Sequence, residues 1–519
     1  MAPMRVTSIG HAGLLIETRH ASIVCDPWFV PAFFGSWFVF PRNDRLPDDL
    51  RSKMEHHDYL YVSHIHADHL DVAFLREHID RATTILLPDF PTSEMADILR
   101  SLGFHRFLAT KDGVPISLSD GLDVMILTET SMTDGPGGDS ALLVSDGTAR
   151  LMNQNDCRPL DLHAIERFGP IDVHVLQYSG AIWYPIVYEE TPERLAELGA
   201  AKRRSQFARA LRYVAAVGAP TIVPAAGPPC FLDPDLFAFN DTTRDPTSTF
   251  PDATVFIAEL AARGFNGVLT TPGTTIDVAD GSTTIIHPAP DAEVRRPFDD
   301  KESYLREYQG DWAAWLDAEK ASWSPPRAGL VERLAKWWTP LLAQAPTLRE
   351  MIGTNALLRL DDLDIVVDFP AGEVREWNGE PYLYRFLIDR RLVETCVDRH
   401  AVDWSNALFL SCRFKAWRGG DYNEYLYNFF KMLSPERIAR AETQARADQA
   451  RLAGEGTIEE IELDGWLVER WCPHNSADLA EFGSTTNGVL TCAMHGWRFD
   501  LATGRCLNSD KRRLRSRRA

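Results

Sequence analysis

Cysteine is scarce in this chain. Eight residues among 519, with no dense or regular spacing, exclude a disulfide framework and leave thiols for other work. Basic charge is also short: 54 Lys and Arg stand against 74 Asp and Glu, a formal net charge of −20. Nucleic acid is thereby disfavoured as a partner, since phosphate binding needs a basic surface. No strongly apolar run reaches the roughly 18 to 20 residues of a spanning helix. The longest, PWFVPAFFGSWFVFP at 27–41, is interrupted by Pro and Gly and reads as a loop or lid. The N-terminus shows no basic segment followed by a long apolar run and a small-residue cleavage site, so a cytoplasmic protein off the membrane is expected. Repeats are absent. The ending KRRLRSRRA, 511–519, holds six basic residues in nine and is expected to be a solvated tail.

The chain is 45% apolar, enough for several cores, and its length calls for two to four domains. Over residues 1–295, short β-rich runs (YLYVS, TTILLP, LDVMILT, ALLVS, VHVLQY) alternate with amphipathic helices such as RSQFARALRYVAAVG, an α/β pattern. Residues 296–440 are Trp-rich and helical, then return to strands, as expected of an accessory α+β domain that is structural, covers substrate or makes a homodimer contact. A charged helix at 434–456 reads as a connector, and a compact β-rich end completes residues 441–510.

Two constellations carry chemistry. The first is C-terminal: Cys472-x-His474, then seventeen residues, then Cys492-x-x-His495. Two Cys/His pairs on two loops suit a site with two thiolates on one side and two imidazoles on the other. A zinc knuckle would more often show CxxC or HxxxH pairs. With Pro473, the run HGWRFD and the glycine turn LATGRC, residues 453–508 resemble Rieske ferredoxin domains. The resemblance implies a small all-β domain holding a [2Fe–2S] cluster, with Cys472 and Cys492 on one iron and His474 and His495 on the other. Histidine ligation puts the potential at about −150 to +300 mV, suited to relaying single electrons. A relay needs a destination.

The second constellation, SHIHADH at 63–69, follows the apolar run YLYV and precedes a helical segment. Its H-x-H-x-D-H pattern resembles the first metal motif of the metallo-β-lactamase fold, which implies an αββα sandwich. The resemblance assigns His64 and His66 to one metal and Asp68 and His69 to a second. It makes Asp26, in IVCDPWF, a carboxylate that orients a histidine ligand, and Asp156, ending ARLMNQNDC, a bridge between the metals. Zinc hydrolases of this fold carry a further histidine upstream of that aspartate. Here the window ILTETSMTDG offers Glu129 instead, which hardens the site toward iron and O2 and resembles the di-iron amino-acid β-hydroxylases of this fold. The last histidine of the family belongs near TIVPAAGPPC, where there is none. His163, His174 and His287 are the candidates to replace it; otherwise a coordination position stays open or the site holds one iron.

A hydrolase-like domain and a Rieske domain in one chain resemble the CMP-N-acetylneuraminate hydroxylases. The similarity runs over about residues 5–290, through DSALLVSDGTARLMNQNDCRP, QYSGAIWYP and APTIVPAAG; in that family the Rieske domain comes first, whereas here it is last. The resemblance implies a monooxygenase. An external donor (a ferredoxin, a flavin reductase or a cytochrome b5-like protein) would feed the cluster, and the cluster would feed non-haem iron, two ions where both sites fill. O2 is the co-substrate, and a small polar substrate is hydroxylated or N-oxygenated. His64, His66 and Glu129 would hold one iron, Asp68 and His69 the other, with Asp156 between them. The segment 28–40 and the loop Tyr178–Tyr184 with Trp183 are candidate pocket walls. Two rival readings remain: a lactonase- or phosphodiesterase-type metal hydrolase with a redox-sensing Rieske domain, suggested by Gly10-His11-Ala12, and a non-catalytic electron carrier. Glu129 in place of histidine speaks against the first, and the intact cradle against the second.

Overall fold

A computed structural model describes residues 4–131, 137–179, 183–241, 248–279, 281–454 and 458–519. The chain divides into two units: one of Met1–Thr130, Gly137–Ile182 and Ala196–Lys320, and one of Ser131–Pro136, Trp183–Leu195 and Ala321–Ala519. Among the described residues no helix is long and apolar enough to cross a membrane.

The first unit contains β1 (Met4–Gly10), β2 (Gly13–Glu17), β3 (Ser22–Cys25), β4 (Tyr59–Tyr61), β5 (Thr84–Leu87), β6 (Phe107–Ala109), β7 (Ile116–Ser119), β8 (Leu122–Glu129), β9 (Asp139–Ser145), β10 (Arg150–Asn155), β11 (Val173–Gln177), β12 (Thr221–Ala225), β13 (Thr275–Ala279) and β14 (Ser282–Ile286). They form an eight-stranded sheet, β14-β13-β1-β2-β3-β4-β5-β6, and a six-stranded sheet, β12-β11-β10-β9-β8-β7. The sequence of β8 shows why they stack. Leu122, Val124 and Ile126 pack between the sheets with Met4, Ile16 and Ile23, while Met125 and Leu127 face the other way, against Ala164 and Ile165 of the helix Leu162–Phe168. A strand buried on both faces reads as a nearly continuous apolar run. Helices Asp48–Glu55, Val72–His78 and Glu94–Ser101 cover the outer face of the first sheet with Met54, Phe74, Leu75, Met95 and Leu99. The result is an αββα sandwich, the layering expected from the SHIHADH motif. β3 through β6 run parallel, as do β10 through β12, so the loops after β3, β4 and β10 collect at carboxyl ends, the usual place for a site.

The apolar segment 28–40 is not a lid. Trp28 and Trp37 are fully buried, and Phe38 and Phe40 pack on Cys230, Leu232, Leu305 and Tyr308. Leu305 and Tyr308 come from the helix Lys301–Ser322, so this Trp-rich helix completes the core of the first unit rather than opening an accessory domain.

The second unit carries a five-stranded sheet, β17-β16-β15-β18-β19, built from β15 (Asn355–Arg359), β16 (Asp364–Asp368), β17 (Glu373–Glu376), β18 (Tyr384–Ile388) and β19 (Phe414–Arg418). The segment expected to be a connector is a structural helix. Pro435–Leu452, capped by the Ser434 side chain, buries Ile438, Ala441 and Ala445 and packs on the helices Leu330–Gln344, Pro346–Ile352 and Glu424–Lys431. Trp183 is no free pocket wall, since it stacks on Tyr188, meets Phe409 and Phe414 edge-on and lies tilted against Tyr427. Tyr178 is buried in the first unit against Phe256; residues 180–182 of that loop lie outside the described residues.

The C-terminal end forms two three-stranded sheets from β20 (Glu460–Leu463), β21 (Trp466–Glu469), β22 (Gly483–Thr486), β23 (Val489–Cys492), β24 (Trp497–Asp500) and β25 (Ser516–Arg518), ordered β20-β21-β25 and β22-β23-β24. The basic ending is folded, contrary to the solvated tail expected from its charge. β25 pairs antiparallel with β21, Leu514 is buried, and Arg512, 6% exposed, bonds Glu424 and Asp448. Arg512 is offset by two buried acids distant in sequence, Arg517 pairs with Glu460, and Arg518 lies over the Trp466 ring. Deleting residues 511–519 strands those two carboxylates. A buried pair broken on one side costs about 3–5 kcal/mol, so the melting temperature of the second unit should fall by roughly 10 °C in calorimetry; an unchanged transition would show the tail to be dispensable.

Candidate metal and cluster sites

The first site grows from the end of β3. Asp26 follows Cys25 with φ +41 and no exposure, and its N–H donates to the Tyr61 carbonyl at 3.1 Å. Its carboxylate accepts from the Ser63 N–H and Oγ, both at 2.7 Å, and lies 2.9 Å from His69 Nδ1. The Asp26 contact occupies Nδ1, so Nε2 is the nitrogen that His69 turns toward the centre of the site. There Nε2 lies 3.6 Å from Asp156 Oδ1 and 3.9 Å from Asp68 Oδ2. His64 Nε2 and His66 Nδ1 are 2.8 Å apart. Ligand atoms of His64, His69 and Asp156 converge within 4.8 Å, and those of His11, Asp68 and His69 do likewise, so His69 belongs to both groups.

Several residues stand elsewhere than expected. Glu129 is buried at the end of β8 but belongs to neither group; it lies within electrostatic reach of Tyr213, as do Arg158 and Arg209. Asp139, its partner across the β8–β9 pairing, instead comes 3.2 Å from His64 Nδ1. None of the three candidate final histidines is in the cradle. His163 is exposed beside Glu166, His174 is buried against Gln154 Oε1 at 2.8 Å and held neutral by burial, its pKa pushed down to about 3, and His287 meets the Thr274 hydroxyl. His11 is there instead, with Nε2 3.1 Å from Asp68 Oδ2. It sits in the β1–β2 turn, and its carbonyl accepts from Ala226 N–H, on the same loop after β12 where the missing histidine was expected. The turn needs Gly10: at φ +111 a Cβ would stand 2.8 Å from Val39 Cγ1. The run Gly10-His11-Ala12 was therefore the signal for this ligand, and the one for Asp139 is faint, an acid opening β9.

The electrostatics select a cation. Burial opposes a charge on His69, but Asp156, Asp68 and Asp26 outweigh it and push the imidazole pKa up to about 10. Burial likewise opposes charge on Asp68, yet His69, His11 and His66 hold its carboxyl well below the usual range. Asp156 goes the other way, raised by burial despite His69 and His64. Among the described residues, His69 Nε2 and Asp156 Oδ1 are buried polar atoms with no hydrogen-bond partner. Buried polar groups normally have one, and a metal ion between these atoms satisfies both while displacing the imidazole proton. The residues thus fit a metal on His69 Nε2, whose single lone pair serves one ion; a second ion would have to be bridged through a carboxylate such as Asp156.

The second site lies at one end of the β22–β24 sheet. Cys472 and His474 occupy the loop after β21, Cys492 ends β23, and His495 sits in the turn before β24. Both thiols are buried, and the hydrogen bond that the Cys472 thiol donates to Cys492, with burial, raises the Cys472 pKa well above the ordinary value. The His474 and His495 rings meet edge-on with centroids 4.8 Å apart, and His474 stacks on Trp497 at 4.3 Å. Two thiols in contact and two imidazoles in contact fit a [2Fe–2S] cluster with mixed ligation. All eight cysteines are free thiols.

This arrangement defines a protein of the Rieske class, and comparison with known proteins agrees: the Rieske [2Fe-2S] domain family matches residues 464–516, and the Rv3818-like, SCP2-like domain family matches residues 330–447. The Rieske 2Fe-2S iron-sulfur protein Rv3818 of Mycobacterium tuberculosis is 44% identical over 528 residues, 99% of this chain and 100% of that protein. The chain belongs to this family of Rieske 2Fe-2S iron-sulfur proteins. Cytidine monophosphate-N-acetylneuraminic acid hydroxylase of Pan troglodytes is 29% identical over 89 residues, 17% of this chain and 14% of that protein. Among solved structures, CmlA, a diiron beta-hydroxylase from Streptomyces venezuelae, aligns with 54% of this chain and 55% of its own at 15% identity and a TM-score of 0.35. The SCP2-like match covers a region whose sequence carried no motif.

Removing the Asp26 carboxylate (Asp26→Ala) leaves His69 unoriented and Ser63 N–H unpaired. Loss of such a partner typically weakens metal binding 10- to 100-fold, which competition with a chromophoric chelator would measure; unchanged affinity would mean that Asp26 serves the fold alone.

Proposed function

We propose that this protein is a Rieske-coupled non-haem iron monooxygenase. The observation that supports it most is the presence, in one chain, of a site built for a one-electron relay and a buried cradle of four histidines and several aspartates. Hydrolysis consumes no electrons, so a relay beside a hydrolytic metal would have no substrate-level task. In the proposed reaction one oxygen atom of O2 enters a C–H or N–H bond of a small polar substrate and the other leaves as water. The two electrons come singly through the cluster from an external donor, and two protons come from solvent. Iron held by His64, His66, His69, Asp68, Asp156 and His11, with Asp139 at the edge, would supply the O2 chemistry when bound. The chain's own part is to hold these ligands in a dry pocket, orient His69 through Asp26, and keep the cradle anionic enough to retain iron. Eight free thiols suit a reducing, cytoplasmic setting.

A metal hydrolase with a redox-sensing Rieske domain is the second reading, favoured by His11 of the Gly-His-Ala turn standing in the cradle. The two differ in metal. Protein purified anaerobically should contain three to four irons and two sulfides per chain, with non-cluster iron whose Mössbauer spectrum changes on exposure to O2. Two irons confined to the cluster, with zinc retained in the cradle after reconstitution with iron, would contradict the oxygenase.

A further inference from the structure

A ligand histidine binds iron through one ring nitrogen, and in His474 the other is taken. Nε2 lies 3.1 Å from Glu424 Oε2. Glu424 opens the helix Glu424–Lys431 and so belongs to the SCP2-like region, outside the Rieske domain. Both side chains are buried, 2% and 5% exposed. The ring cannot turn away easily, because it stacks on Trp497 with planes 18° apart. Glu424 is itself fixed: Oε1 accepts from Arg512 Nε at 2.6 Å. Arg512 Nη1 also reaches Asp448 Oδ1 at 2.5 Å and donates to the carbonyl of Pro473, the residue between the two ligands, at 2.9 Å. Glu424, Arg512 and Asp448 together carry one net negative charge.

We propose that Glu424 is a positioning residue for the cluster, through which the SCP2-like domain holds His474 in the tautomer that presents Nδ1 to iron and lowers the reduction potential. The carboxylate accepts the Nε2 proton, which fixes ring orientation and makes Nδ1 the basic nitrogen. Negative charge one imidazole away, in a buried setting of low dielectric, stabilises the oxidised cluster over the reduced one. The accessory domain therefore helps set the driving force with which the cluster passes electrons on, whatever reaction the cradle performs.

The test uses the cluster-loaded full chain. Glu424→Gln preserves shape and removes charge; Glu424→Asp restores charge; Asp448→Asn breaks the same network at a point away from His474. Midpoint potentials come from redox titration followed by EPR, cluster loading from iron and sulfide analysis, and folding from circular dichroism. The expected result is an upward shift of potential with altered g-values in Glu424→Gln, partial return in Glu424→Asp and a smaller shift in Asp448→Asn. Loss of the cluster from folded Glu424→Gln, with Asp448→Asn still loaded, would equally support the role. A wild-type potential and EPR spectrum in Glu424→Gln, equal shifts in both neutralised variants, or cluster loss from both would overturn it.

Discussion

The carboxylate of Asp26 joins three buried groups, the Ser63 N–H, the Ser63 hydroxyl and His69 Nδ1, and the geometry of the cradle depends on that junction. It works because the parallel register Cys25↔Tyr61 brings the end of β3 beside the start of the histidine loop. Asp26, Ser63 and His69 are fully buried, so the hydrogen bonds among them are made without competition from water. Once His69 is turned, its Nε2 and the Asp156 and Asp68 oxygens face one small volume, where positive charge is favoured and an unpaired anion is not. The cradle is polarised toward metal by its fold.

The Rieske end follows similar logic with different donors. Two thiols and two imidazoles come from two loops that the β22–β24 sheet holds together, and behind one imidazole an accessory helix adds a buried acid and the chain end a buried arginine. Stability and redox behaviour share residues here: Arg512 staples the chain end to the helix Pro435–Leu452 through Asp448 and, through Glu424, touches the ligand His474. An arginine that looked like part of a solvated tail is part of the cluster's setting.

What was legible in the sequence was local in the sequence. SHIHADH and the two Cys/His pairs name themselves because a turn or a strand end needs only a few residues to present several ligands. The strand LDVMILT was equally plain. Contacts across the chain were not: His11 meets Asp68 57 positions away, and Arg512 meets Glu424 88 positions away. Charge alone misread 511–519, since a row of arginines looks solvated until its buried acids are known. Glu129 was chosen because it stood in the window where a histidine was missing, yet it belongs to neither ligand group, and its cross-strand partner Asp139 is the carboxylate that comes close to His64. The apolar run 27–41 is the loop that the sequence allowed, and its burial was not legible because its partner helix, Lys301–Ser322, lies far along the chain.

The central claim is that the cluster and the cradle serve one reaction. Protein reconstituted with iron, chemically reduced, freed of reductant and mixed with O2 in a stopped-flow instrument would report it through the visible absorbance of the cluster, beside His69→Ala prepared identically. The account predicts that the wild-type cluster reoxidises faster than the cluster of the variant, and that loading the cradle with zinc removes the difference. Equal reoxidation rates in all three would show that electrons in the cluster do not reach the cradle, and would contradict the account.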